Sequence, residues 1–290
     1  MPPPSAQTLP ALLSKIRTTL PASIPKSAAY ILPACTLTAL GHPNLLGPLF
    51  LHATGHQPSS NDASNPPPPR PAATPAETRA ISLQLRDVLL KEWTLIGIPL
   101  VITAAASLGA AEREAGLFPA TSDPNAPPSS SSSTPPALGA ASALSARYAS
   151  GIDVAPGTDV STRGAAHLHR LYRHHLPAIM ATWGSHEADF RWLEESVIYG
   201  LFLADHAVLS DLETSLVTVT GIMCQGLKGP TLWHLRGLRR LGVSKGDVEA
   251  VVRCVAECVA WAGGRVPGVE GSEAEGEEWV GWVGEVEGEV

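Results

Sequence analysis

The stretch LVTVTGIMCQGLKGPTLWHLRG, Leu216–Gly237, reads as two helices and a turn. From Leu216 to Cys224 apolar residues and threonines follow one another without strand-like alternation, and a helix that is apolar nearly all round is a buried one. The run breaks at Lys228-Gly229-Pro230. Gly226 and Gly229 can end the first helix, and Pro230 can open the second at its first position. Gly242 ends the second helix. Ser244 with Asp247 makes a capping-box-like start for a third. Its apolar face runs Val248, Val251, Val255, Cys258, Ala262, at three- and four-residue spacing.

The rest of the chain agrees with this helical reading. Of 290 residues 44% are hydrophobic and only 16% charged, and alanine, leucine and valine dominate. Strict apolar/polar alternation is nearly absent, so the expected fold class is all-α. The net charge of −7 comes from the C-terminal end, where Val269–Val290 holds eight Glu and no Lys or Arg. The 27 Asp and Glu less these eight leave 19, against 20 Lys and Arg. A near-neutral body lacks the basic excess that nucleic acid requires, so no nucleic-acid partner is expected. Arg236, Arg239 and Arg240 read as a solvated helix face.

Cys35, Cys224, Cys254 and Cys258 form no CxxC and no disulfide framework. Met1-Pro-Pro-Pro opens no secretory signal. The first acidic residue is Asp62, and Lys15, Arg17 and Lys26 precede it among Ser, Thr and Ala. This weakly resembles a mitochondrial transit peptide, an alternative to the cytoplasm. The terminal Gly-Glu-Val is no peroxisomal address. Trp93–Ala110 is uncharged for 18 residues, but Pro99 interrupts it; a buried core helix broken near Pro99 is expected, and no membrane span.

Composition shifts divide the chain into an N-terminal segment (1–26), a first helical block (27–115), a Pro/Ser-rich linker (116–162), a second block (163–267) and an acidic Gly/Glu tail (268–290). A further Pro/Ser loop spans Gln57–Thr74. Trp279 and Trp282 make the tail sticky enough to dock. The blocks look alike: YILPACTLTALGHPNLLGPLF from Tyr30 and the opening stretch each join two apolar helices through a Gly/Pro break. The offset between matching prolines is 187 residues at Pro43/Pro230 and 168 at Pro99/Pro267, a difference close to the Gln57–Thr74 loop. This is the pattern of a weak internal duplication, with chance similarity of two helical hairpins as the alternative.

Chemistry-bearing residues are few. Cys224 lies near a helix C-terminus, where the dipole disfavours a thiolate, among Val219, Ile222 and Met223. That favours a structural cysteine over a nucleophile. His234 is the fifth residue of a helix starting at Pro230, so the positive helix end favours neutral imidazole, able to act as a general base. Leu238 and Leu241 stand at i+4 and i+7, so His234 can equally be a boundary histidine. Cys254 and Cys258 share a face and read as core. In HLHRLYRHH, His167–His175, no close pair suits helical chelation, since His167 and His174 are seven apart, and no metal is expected. HEADFRWLEE, His186–Glu195, holds no HExxH. Asp205, His206, Asp211 and Glu213 in YGLFLADHAVLSDLE either line a pocket or lie on the surface.

Three patches together resemble the carboxymuconolactone decarboxylase-like, or alkyl hydroperoxidase D-like (AhpD-like), superfamily, particularly its longer fungal members. They are RDVLLKEWTLIGIPLVITAAASL (Arg86–Leu108), LETSLVTVTGIMCQGLKGPTLWHLRGLRRLGVSKGDV (Leu212–Val248) and the Tyr30 hairpin, about half the chain. The resemblance implies an AhpD-like helical fold, here one pseudo-symmetric domain, a homo-oligomer, and either decarboxylation of a lactone acid or peroxidase chemistry. The peroxidase members use a Glu, a CxxC and a His. With His234 as anchor, their cysteine places fall on Leu227 and Pro230, and their glutamate place on Ser215, two residues after Glu213. Only His234 matches, so the dithiol relay is not supported. Three readings remain. The first is proton transfer on a small organic ligand, with His234 as base and Cys224 and Glu213 nearby. The second is a non-catalytic binding or oligomerisation module. The third is a residual peroxidase using Cys224 alone. None calls for a cofactor.

Overall fold

Helical periodicity becomes helix along the whole described chain. The structure, a computed structural model, describes residues 4–56, 72–117, 152–263 and 274–287, and no strand occurs among the described residues. The N-terminal segment supplies α1 (Leu9–Thr19), and the first block α2 (Ala28–Ala39), α3 (Leu46–Ala53), α4 (Pro75–Ile96) and α5 (Ile98–Glu114). The second supplies α6 (Asp159–Tyr172), α7 (Leu176–Ala181), α8 (Glu187–Trp192), a π-helix (Leu193–Leu203), α9 (Asp211–Met223), α10 (Lys228–Arg240) and α11 (Lys245–Trp261); α12 (Ala274–Glu285) closes the chain. Residues 57–71 and most of the linker lie outside the described residues, as does Pro267 of the proposed duplication.

The opening stretch is the hairpin α9–α10. Gly226 takes the left-handed φ of 70° between the helices and Gly242 one of 87° after the second. The second helix starts two residues earlier than expected, so Pro230 is its third residue rather than its first. Its missing N–H still costs nothing there, because the first four N–H groups of a helix have no intrahelical acceptor. Ser244 caps α11 as expected, accepting from Asp247 N at 3.1 Å.

Helices α2 and α9 are buried over nearly their whole lengths and pack on each other in the middle of the main core. Their threonines are accommodated there by returning hydroxyl protons to the backbone four residues back: Thr36 to Leu32 O, Thr38 to Ala34 O, Thr218 to Thr214 O. Around this pair lie α4, α11 and α10.

Both chain ends belong to this core. The N-terminal segment is not separate: Leu9, Leu12, Leu13 and Ile16 of α1 are buried against α2 and α11. Nor is the acidic tail wholly solvated. Trp279 and Trp282 are buried where α12 packs on α11, since two indoles bring more apolar area than a solvated helix can leave exposed.

The apolar run Trp93–Ala110 is cut in two. Gly97, at φ 95°, turns the chain between α4 and α5, and Pro99 sits in the first turn of α5. No described helix is long and apolar enough to cross a membrane. The expectation of a buried core helix is corrected in part: Trp93 near the end of α4 is exposed, and so are Ile98 and Ile102, because α5 turns only one face inward, through Val101, Ala104 and Leu108.

A second, smaller apolar cluster joins α6, α7 and the π-helix through Leu168, Leu171, Leu176, Met180, Tyr199 and Leu203. The seam between this cluster and the α9–α10 hairpin holds most of the polar chemistry.

Candidate functional site: a histidine- and arginine-lined cleft

The seam begins with backbone contact. Gly164 of α6 and Gly200 of the π-helix face each other so closely that a Cβ on Gly164 would lie 1.9 Å from Glu195 O. The Arg163 guanidinium donates to the Gly200 carbonyl, with Nε at 3.0 Å. This approach aligns the outward residues of α6 with Tyr199 and the loop after the π-helix. The ring of His167 lies 5.4 Å from that of Tyr199 and 5.8 Å from that of His206.

The loop 204–210 is pinned from below. Lys91 of α4 is fully buried, ion-paired to Asp87 at 2.9 Å, and donates to Asp205 O at 2.8 Å; Asp87 accepts Leu209 N at 3.2 Å. Ser210 then caps α9 in a reciprocal box with Glu213, Ser210 N to Oε2 at 2.8 Å and Glu213 N to Ser210 Oγ at 3.3 Å.

Above this floor, His167, Arg170, Leu171, Asp211, Ser215, Gly237, Arg240 and Leu241 line a shallow, solvent-open cleft with a cavity volume of about 10 Å³, roughly the room of one water. Arg170 pairs with Asp211 at 2.6 Å and reaches His167 Nδ1 at 3.1 Å. Desolvation pulls the His167 pKa down to about 4, assisted by the Arg170 charge. His206 is lowered too, by desolvation, with Asp211 opposing. At neutral pH both imidazoles are uncharged.

A second layer lies behind the cleft. Tyr172 Oη is 3.3 Å from His234 Nε2 and 3.5 Å from Tyr199 Oη. Burial raises Tyr172 to about 12 and lowers His234 to about 4. On the π-helix, desolvation lifts Glu194 to about 7, so its carboxyl titrates near neutrality beside the two tyrosines.

The three residues singled out from the sequence are not brought together. Glu213 and Cys224 stand at opposite ends of α9, about 16 Å apart at 1.5 Å per residue. Glu213 is a structural cap, also accepting from Ser27 Oγ and from Gln84 Nε2 at 3.2 Å. Cys224 is buried in the main core beside Thr36 and Glu92, and burial pushes its thiol up to about 12. A thiolate nucleophile at Cys224 is therefore corrected to a core thiol. Its neighbour Glu92 is fully buried beside Thr38 and Cys35, and burial raises its pKa well above the usual carboxylate range. Cys254 and Cys258 are core, as expected.

His234 is neutral, as the sequence suggested, but the cause is burial rather than the helix end. It sits behind Tyr172 and is not among the residues that line the cleft. The basic triplet is corrected as well. Arg236 is buried and stacks on Trp233 at 4.6 Å, while Arg240 donates to Leu171 O and lines the cleft. The histidine-rich run is not one helix: α6 ends at Tyr172, and Arg173 takes a φ of 51°.

The neutral His234 makes stability acid-sensitive. Its folded pKa, about 4, is below the roughly 6.5 of an unfolded histidine. The unfolded state thus takes up the proton first, and the contribution, fully present above the unfolded value, is lost as pH falls toward 4. A shift of this size corresponds to roughly 3 kcal/mol. Urea midpoints between pH 7 and pH 4 should fall less steeply in His234→Gln than in wild type; parallel curves would refute the linkage.

Compared with known proteins, the chain matches no family model, no curated protein and no solved structure.

Proposed function

We propose that the protein binds the carboxylate of a small organic acid at the mouth of the α6–α9–α10 cleft and carries out proton transfer on it, decarboxylation or lactone isomerisation being the reaction types that fit. The observation that carries this reading is the convergence of Arg170, Arg240, Ser215 and His167 from three helices on one cleft. Guanidinium groups recognise carboxylates through paired hydrogen bonds. A neutral imidazole beside them can accept a proton at pH 7. His167 borders the cleft, and His234 acts through Tyr172 as a positioning residue. The resemblance to the carboxymuconolactone decarboxylase-like superfamily supports the same class of chemistry. Ser215, at that superfamily's glutamate place, lines the cleft. The packing of α2 against α9, each leading through a turn into a second helix, supports the reading of a pseudo-symmetric AhpD-like arrangement.

The test is ligand-observed NMR with small mono- and dicarboxylates and their uncharged amides, in chelator-treated protein. Acids should bind and amides should not. Arg170→Gln, whose side chain is half exposed, should weaken the acids at least tenfold without lowering the melting temperature. Equal binding of acids and amides overturns the reading. Absence of any binding leaves the second one, a non-catalytic binding or oligomerisation module. That reading is favoured by the close packing of His234 and by the exposed Trp93, Ile98 and Ile102.

A further inference from the structure

Three side chains of metal-ligand type meet at the mouth of the cleft. His167 comes from α6, His206 from the pinned loop and Asp211 from the first position of α9. One ligand atom from each lies within 4.8 Å of the other two. His206 Nε2 is 3.7 Å from Asp211 Oδ1, too far for a hydrogen bond. Oδ1 is buried and has no hydrogen-bond partner, while Oδ2 holds Arg170. A buried carboxylate oxygen left open beside an imidazole is a costly arrangement unless something else completes it. Donor atoms around a tetrahedral ion with bonds of about 2.0–2.2 Å stand roughly 3.3–3.6 Å apart. The His206–Asp211 separation is within a few tenths of an ångström of that spacing.

We infer that His167, His206 and Asp211 form a binding site for a divalent transition metal, with two imidazoles and one carboxylate as ligands and the remaining positions open to the cleft. Two neutral nitrogens and one oxygen suit zinc, cobalt or iron better than calcium or magnesium, which take oxygen ligands. The inference goes beyond the acid-binding reading and is measured with no acid present.

Arg170 sets a condition on the site. Its Nη2 stands 3.1 Å from His167 Nδ1 while its Nη1 holds Asp211 Oδ2. With Nδ1 accepting from the guanidinium, the proton of neutral His167 is on Nε2, so coordination through either nitrogen requires Arg170 to release His167. The half-exposed arginine can do so and still keep Oδ2, leaving it as an outer partner that orients the carboxylate. Arg170 thus competes with the ion, which a purely adventitious histidine site would not show.

The experiment is equilibrium dialysis of the full chain against Co²⁺, with the visible spectrum of the bound ion. Wild type should bind one equivalent, with d–d bands of nitrogen and oxygen ligands and no sulfur charge-transfer band. His206→Ala and Asp211→Asn should each weaken binding at least tenfold, and Arg170→Ala should tighten it. His174→Ala should change nothing, although His174 and His175 stack at 3.9 Å. No stoichiometric binding by folded wild type overturns the inference. So does binding that survives both His206→Ala and Asp211→Asn, binding lost in His174→Ala, or a thiolate spectrum.

Discussion

Lys91→Met should lower the stability of the fold by about 3–5 kcal/mol, the usual cost of removing one partner from a buried ion pair. Both side chains of the Lys91–Asp87 pair have 0% exposure, so the remaining carboxylate has no water to turn to. The lysine also donates to the Asp205 carbonyl, and Asp87 accepts the Leu209 N–H. Loss of the ammonium therefore removes one anchor of the loop that carries His206 and leaves Asp87, which holds the other, as an uncompensated buried charge. The double variant Lys91→Met with Asp87→Leu should recover much of the loss, because an apolar pair of similar volume carries no desolvation cost. Urea denaturation of wild type, single and double variants measures the cycle. A single variant within about 1 kcal/mol of wild type would show the pair to be dispensable. Equal losses in the single and double variants would show that packing, not charge, is the cause.

Gly164→Ala should cost about 3 kcal/mol or more, a fall in melting temperature of roughly 10 °C for a chain of this size. The added Cβ would stand 1.9 Å from Glu195 O and 2.6 Å from Gly200 N, all backbone atoms that no rotamer change can move. Relief requires α6 and the π-helix to separate, which pulls His167 away from Tyr199 and His206. Gly237→Ala is the control. Its Cβ would meet the Leu171 side chain at 2.2 Å, and a leucine methyl can swing away. The first substitution should therefore cost several times the second in thermal unfolding. Equal costs would mean that the Gly164–Gly200 approach does not hold the site together.

Much of the local structure was legible in the residues. Gly226, Gly242 and Ser244 punctuate α9, α10 and α11 because left-handed turns and N-caps are chemistry of one or two side chains. The cysteines read as core because apolar neighbours at helical spacing bury them. The cleft was only partly visible. His206 and Asp211 were left between pocket and surface, and His167 was judged against its own helix, where no chelating partner stands. Its partners come from a loop and from α9, 39 and 44 residues further on. Arg240 looked solvated because three arginines in five residues carry no mark of the Leu171 carbonyl waiting on α6.

The sequence by itself determined an all-helical chain, the position of its central hairpin and the neutrality of its body, since propensity, capping and charge are properties of short segments. Tertiary structure alone decided the rest. The π-helix at Leu193–Leu203 has no local signature that separates it from an α-helix; it accompanies the glycine-to-glycine approach of α6. The Lys91–Asp205 bond joins residues 114 positions apart. Periodicity tells which face of a helix turns inward, but not which distant element will cover it. The site is made of such distant elements, and it exists only once they have packed.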